Sequence, residues 1–350
     1  MAKLFQPIKF RDLTIKNRIS MSPMCQYSAE NGLPNDWHLV HYGSHAIGGA
    51  GLIIIEATAI SPEGRISPGD LGLWNPEQML EFKKINAFIK SQGSATGIQL
   101  AHAGRKASTP VHWAQEKFTP WPIKGPSAIA FSEKSAVPIA MDLSDMQQIV
   151  DAFKTATELC IQSDFDVIEI HMAHGYLLHE FLSSHSNKRT DQYGGSLENR
   201  MRLPLQVAKA VRDSWPQTKP VFVRISATDW IEPQGWTLDE SIQFTKELKK
   251  IGIDFIDCST GGNVSDAQIP VTPHYQVKFA QEIKKQTDIM TGAVGLITEA
   301  LQAESILATE QADAVLMGRE LLRNPNWPLH AAHILKADIN WPLQYNRAKN

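Results

Sequence analysis

The sequence predicts a single (β/α)8 barrel of the TIM type, and three observations carry the prediction. Eight short apolar runs rich in β-branched residues recur along the chain, patterns of helical period separate them, and the unusual polar residues collect at the ends of the runs. Runs that are apolar throughout, not alternating, mark parallel strands buried on both faces. The 350 residues exceed the roughly 250 of a plain barrel, so one domain over residues 1–350 with insertions is expected.

The elements follow in order. Residues 1–17 precede the first barrel strand and are expected to form a small hairpin capping the barrel bottom. Strands are expected at 18–22, 51–56, 96–100, 165–171, 221–226, 255–259, 289–293 and 314–318. A helix over Pro76–Ser91 is stopped by Gly93. Another begins near Ser144 as its cap, with Asp145 in the first turn and Ile149, Phe153, Ala156 and Cys160 along one face. A third starts at Thr237, where Asp239 and Glu240 suit the positive end of the helix dipole. Lys246, Lys249 and Lys250 suit its other end, and Gly252 ends it. Residues 104–143, rich in Pro, Trp and Ser, form a long excursion after strand three, of a length that usually serves as a lid. A doubly wound sheet would need a dinucleotide fingerprint, but Gly48-Gly49-Ala50-Gly51 lies after a helix and before a strand, the reverse of the required order.

Composition narrows the function. With 34 basic against 37 acidic residues, a net charge of −3 and no block of like charge, a nucleic-acid footprint is not expected. Cys25, Cys160 and Cys258 are widely spaced, which fits neither a disulfide framework nor a metal-binding CxxC. No apolar stretch is long enough for a signal peptide or a membrane span, so a cytoplasmic protein is expected.

In such a barrel, chemistry sits at the C-terminal ends of the strands. Strand one ends in Ser22-Pro23-Met24-Cys25-Gln26-Tyr27, strand three carries Gln99, and strand four runs into His171, His174 and Tyr176. Strands seven and eight end in Ala293-Val294-Gly295 and Gly318-Arg319. Glycines there let the backbone approach a phosphate, and Arg319 offers it a bidentate fork. His171 and His174 admit a metal site, a structural pair, or a donor pair for a substrate oxygen with Tyr176 as acid; their place at a strand end favours the third. Arg224 inside the apolar run 221–225 requires a partner if it points inward.

Together these residues resemble the old yellow enzyme family, in particular its cysteine-containing branch of bacterial NADPH dehydrogenases and xenobiotic reductases. The resemblance runs along nearly the whole chain: Asn17-Arg18-Ile19, Ser22 to Cys25, Glu56-Ala57-Thr58, Gln99 to Lys106, His171 to Tyr176, Ser186 to Arg200 and Gly318 to Leu322. It implies a bound FMN. Ser22, Pro23, Met24, Cys25 and Ala57 would line its ring system, Gln99 its pyrimidine edge and Arg224 its N1/O2 side, with Ala293, Gly295, Gly318 and Arg319 at the phosphate. It also implies an ene-reductase in which NADPH, or NADH, and an electrophilic alkene use one pocket in turn. His171 and His174 would bind the substrate oxygen, Tyr176 would donate the proton, and Tyr27 and Cys25 would contact substrate. The segment from Ser186 to Arg200 is expected to shape a loop and dock the next helix. Arg105 and Lys106 fit nicotinamide-phosphate contact, loop support or surface charge. Family members often end in Tyr-x-Arg followed by Gly and an aromatic residue; here Tyr345-Asn346-Arg347 is followed by Ala348-Lys349-Asn350. Arg347 is accordingly expected to reach a neighbouring subunit's pocket in a homodimer or homotetramer. Competing readings are another FMN barrel reductase, a redox-sensing flavoprotein using Cys25, and a metal-dependent hydrolase using the two histidines.

Overall fold

In the computed structural model, residues 2–114, 118–231 and 234–349 are described, so Met1, Asn350 and part of the excursion (115–117) lie outside the described residues. Eight parallel strands close into a barrel in sequence order: β1 Ile19–Met21, β2 Leu52–Ala59, β3 Ala95–Ala101, β4 Val167–Met172, β5 Val221–Ser226, β6 Phe255–Ser259, β7 Met290–Ala293 and β8 Ala314–Met317. The last strand pairs with the first, Val315 opposite Ile19 and Met317 opposite Met21. Each expected run supplies one strand. β2 runs beyond its expected end at Glu56 because the register against β3 shifts between Ile55 and Ala57. That bulge turns the Glu56 side chain away from its ladder neighbours.

The longer helices are α1 Asp36–Ile47, α2 Pro76–Ser91, α3 Leu143–Gln162, α4 Leu197–Ser214, α5 Leu238–Ile251, α6 Val277–Thr287, α7 Ala300–Ala308 and α8 Trp327–Ile334; Leu177–Leu182 and Arg319–Arg323 form short ones. Alternation along the strands decides which core each residue joins. Ile53, Ile55, Ile168 and Ile170 pack outward under the helices, whereas Leu52, Ile54, Val167 and Phe222 fill the lower barrel. Thr237 caps α5 and Gly252 ends it at φ 97°, as expected. The cap of α3 is Asp142, not Ser144: its carboxylate accepts from the Asp145 N–H while Asp145 accepts from the Asp142 N–H. Two reciprocal bonds to charged acceptors outcompete one serine hydroxyl.

The N-terminal hairpin pairs Ile8–Phe10 with Leu13–Ile15 and closes the barrel floor. The Phe10 ring meets Phe222 at 4.9 Å and Phe255 at 5.5 Å, both edge-on. Arg11, in the turn, bonds Asp254 at 2.7 Å. Within the excursion, Lys124–Gly125 pairs with Ile139–Ala140 as a two-residue parallel ladder. Among the described residues no helix is long and apolar enough to cross a membrane.

Candidate active site

At the C-terminal mouth of the barrel lies a cavity of about 270 Å³ lined by Ser22, Pro23, Met24, Cys25, Ala57, Gln99, His171, His174, Tyr176, Arg224, Val294, Gly318 and Arg319. A second cavity of about 230 Å³ shares Arg224, Val294, Gly318 and Arg319 and adds Gly295, Ser259, Tyr275 and Gln276. Ala293 is buried at the end of β7 beside them. The fold thus gathers residues from the ends of all eight strands into one elongated site. Arg347 is the exception. It is exposed, and residues 338–344 just before it pack with Lys16, Asn17 and Gly93 on the bottom side of the barrel.

The segment after β1 is held from below by the bulged Glu56, which accepts from the Gln26 N–H at 2.6 Å and from the Tyr42 hydroxyl at 2.7 Å. Burial pushes the Glu56 carboxyl up to about 8. Cys25 is half-buried beside Tyr27 and Ala57. Burial, reinforced by Asp70 and Glu56, keeps it a thiol. Tyr27 sits at φ 50°, its ring edge-on to His112 and Trp113 of the excursion. The excursion therefore walls the mouth.

Beyond β4 the ring of His171 lies 5.2 Å from that of His174 and 5.0 Å from that of Tyr176. His171 Nδ1 accepts from the Ala173 N–H at 3.3 Å, which leaves its Nε2 as the proton-bearing nitrogen. His174 takes φ 61°, donates its N–H to Ser226 Oγ at 2.9 Å and places Nε2 2.7 Å from Ser259 Oγ. Burial first, and then the Arg224 charge, hold both imidazoles well below their usual range, so they are neutral. Burial likewise keeps the Tyr176 phenol protonated. Among the described residues no third metal-ligating side chain joins the two histidines.

Arg224 does have a protein partner, contrary to the expectation that a cofactor alone would supply one. Its Nε lies 3.0 Å from Asp257 Oδ2 on β6, and Gln99 Nε2 donates to Glu169 Oε1 at 2.8 Å on β4. The opposite end of the site is lined by Arg319, Arg323 and glycine backbone. Gly318 opens the short helix Arg319–Arg323, and a Cβ on Gly318 would meet Met24 Sδ at 3.3 Å; Gly295 takes φ 124°.

Arg105 and Lys106 turn out to be internal. Arg105 donates to Asn263 O and Oδ1, and Lys106 donates to His174 O at 2.9 Å and Gly262 O at 3.1 Å. Both tie the loop after β6 to the excursion and to the His174 turn. In the segment from Ser186 to Arg200, Asn187 bonds Phe181 O and Tyr193 O, Arg189 bonds Pro126 O, and Arg200 bonds Glu240. This is loop shaping and helix docking. Sequence reasoning passed over Ser259, Tyr275, Gln276, Glu169 and Asp257. The two acids carried a signal, each being a lone charge within an apolar strand, as with Arg224.

Comparison with known proteins gives concordant results. The sequence matches the NADH:flavin oxidoreductase / NADH oxidase family over residues 3–338. It is 49% identical to the NADPH dehydrogenase of Bacillus cytotoxicus, over 99% of this chain and 96% of that protein. It is 48% identical to that of Bacillus subtilis, over 99% and 98%. Among solved structures, morphinone reductase in complex with tetrahydroNAD superposes with TM-score 0.79 at 28% identity, covering 97% of this chain and 92% of that one. The old yellow enzyme homologue from Zymomonas mobilis gives 0.79 at 26%, covering 97% and 95%. 2-Naphthoyl-CoA reductase matches in fold with TM-score 0.87 at 24% identity; the chain covers 95% of itself there but 52% of that longer protein.

Proposed function

The chain belongs to the NADH:flavin oxidoreductase / NADH oxidase family, and from that premise we propose that it is an FMN-dependent ene-reductase of activated C=C bonds in α,β-unsaturated carbonyl compounds. The observation that carries the reading is the cluster of three neutral proton-bearing groups, His171, His174 and Tyr176, in one cavity with Cys25, Gln99 and Arg224. Such a site selects uncharged substrates with a polarisable oxygen: enals, enones, maleimides, quinones and nitro compounds. The residues fit FMN. Arg224 Nε lacks a well-aligned hydrogen bond, and Gly295 and Gly318, where a side chain would crowd Gln276, Tyr275 or Met24, line one cavity with Arg319.

FMN, when bound, supplies a hydride acceptor for NADPH or NADH and a hydride donor for the alkene. Gln99 and Arg224 hold its pyrimidine edge, and Ser22, Pro23, Met24, Cys25 and Ala57 its ring face. Ala293, Gly295, Gly318 and Arg319 hold its phosphate. His171 and His174 donate N–H bonds to the substrate oxygen and draw electron density from the β-carbon. Tyr176 keeps its proton at neutral pH and delivers it to the α-carbon, while Tyr27 steadies the carbonyl. Cys25, held as a thiol, is a contact and not a reactive thiolate, which counts against an oxidant sensor. Arg347, remote from its own pocket, completes the site of a neighbouring subunit in a homodimer or homotetramer; sedimentation of a monomer with full activity would exclude this.

The test is the absorption spectrum of the purified protein, followed anaerobically as NADPH and then 2-cyclohexenone are added. Flavin bands that bleach and return are the expected result. A yellow protein that bleaches but is not reoxidised by the enone rejects the proposed acceptor, and one that stays colourless after incubation with FMN rejects the cofactor.

A further inference from the structure

Beneath Gln99 and Arg224, the barrel interior holds two acids that the proposed reaction leaves unused. Glu169 on β4 and Asp257 on β6 are both fully buried. Each supports one of the two residues assigned to the flavin's pyrimidine edge: Glu169 Oε1 accepts from Gln99 Nε2 at 2.8 Å, and Asp257 Oδ2 lies 3.0 Å from Arg224 Nε. The partners differ in kind. Asp257 faces a guanidinium, whereas Glu169 faces a neutral amide and its Oε2 has no hydrogen-bond partner. One buried cation cannot neutralise two buried anions, and an unpaired buried charge is costly.

We infer that Glu169 holds a proton that makes the Arg224–Asp257–Glu169 trio neutral, so that Glu169 is a positioning residue for Gln99 while Asp257 alone is the counter-ion of Arg224. The inference rests on the FMN reading for its consequence at the cofactor. The groups acting on Glu169 are Asp257 from β6, Arg224 from β5 and the Gln99 amide from β3, with His171 two residues along its own strand. Burial and the adjacent Asp257 push Glu169 up to about 8, against the opposing pull of Arg224. Burial also raises Asp257, and there Arg224 is the charge that opposes it.

The two acids therefore differ in their effect on the flavin. Glu169→Gln replaces a neutral acid by a neutral amide, so at pH 7 the ratio of oxidised to reduced FMN dissociation constants stays within about twofold of wild type. In the double variant Glu169→Gln/Asp257→Asn neither acid remains to pair with Arg224, and reduced FMN gains roughly tenfold or more in relative affinity, seen as a more positive midpoint potential. Above pH 8 wild type acquires the Glu169 charge and its potential drops below that of Glu169→Gln. A shift in Glu169→Gln alone as large as that of the double variant would overturn the inference. A second measurement needs no flavin: at pH 7 one component of the protonated-carboxyl infrared absorption shifts when glutamate, but not aspartate, carries 13C at its carboxyl, and it disappears in Glu169→Gln. A component that shifts with labelled aspartate, or that Glu169→Gln leaves in place, refutes the assignment even if FMN proves not to be the cofactor.

Discussion

The two ends of this barrel are built on opposite terms. At the floor, Phe10, Phe222 and Phe255 pack ring on ring, and the non-glycine residues in left-handed conformation include Arg11, Asp164, Asp288 and Glu310, in the hairpin turn and just past α3, α6 and α7. At the mouth, the left-handed positions include Tyr27, His174, Trp230 and Leu296, bulky residues that disfavour it. The mouth also buries Glu56, Glu180, His171, His174 and Tyr176 in uncharged form. Strain and buried polarity concentrate at the end of the barrel that carries the proposed site, and apolar packing at the other end sustains them.

That contrast can be broken experimentally. Phe10→Ala should destabilise the fold by about 3–5 kcal/mol, read by denaturant unfolding, with kcat/KM unchanged. A loss of activity in the folded variant would mean that floor and mouth are coupled. His171→Ala should do the reverse, lowering kcat/KM by ~10²–10³, or about 2.7–4 kcal/mol, with thermal stability preserved or raised. A smaller effect tests the buried uncharged groups. Glu56, Glu169 and Glu180 keep their protons to about pH 8 in the folded state, against 4.5 for a free glutamic acid. His38, His41 and His102 stay neutral down to about 4, 3 and 4, against 6.5. From pH 6.5 to 8 the acids dominate, opposed in part by Lys16 and Lys106, which burial lowers to about 8: the unfolded chain has released carboxyl protons that the folded one retains, so stability falls as pH rises. Below 6.5 the unfolded histidines take up protons that the folded ones refuse, which offsets the further gain from the acids. A melting temperature that climbs steadily from pH 6.5 to 8 would contradict this picture. The smallest effect separates scaffold from site at the mouth itself: Thr237→Ala should cost about 1 kcal/mol through the lost cap and leave turnover untouched.

How much of this was legible in the sequence depends on the range of the interaction. The eight strands stood out because burial on both faces writes an uninterrupted apolar run, and α5 stood out because its cap, dipole charges and terminal glycine are all local. The start of α3 was misplaced by two residues because the reciprocal Asp142–Asp145 bonds compete with an equally plausible serine. Arg224 read correctly as an inward charge, but its partner Asp257 lies on the next strand, a contact that closure of the barrel creates and no local pattern records. Ser259 and Gln276 were missed for the same reason. Ser259 ends β6, and Gln276 enters the site through the connection after it, where neither periodicity nor capping applies. The excursion declared itself by length, yet its two-residue ladder is too short to leave a signature.

The aromatic floor has a consequence for isotopes. With Phe10 wedged against Phe222 and Phe255, the floor is closed, so solvent exchange at the fully buried Glu169 and Asp257 would have to come from the mouth, where a seated flavin would cork the way. The carboxyl proton beneath it would then carry the hydrogen isotope present when the cofactor was loaded, and would exchange with a changed solvent only as fast as the flavin leaves.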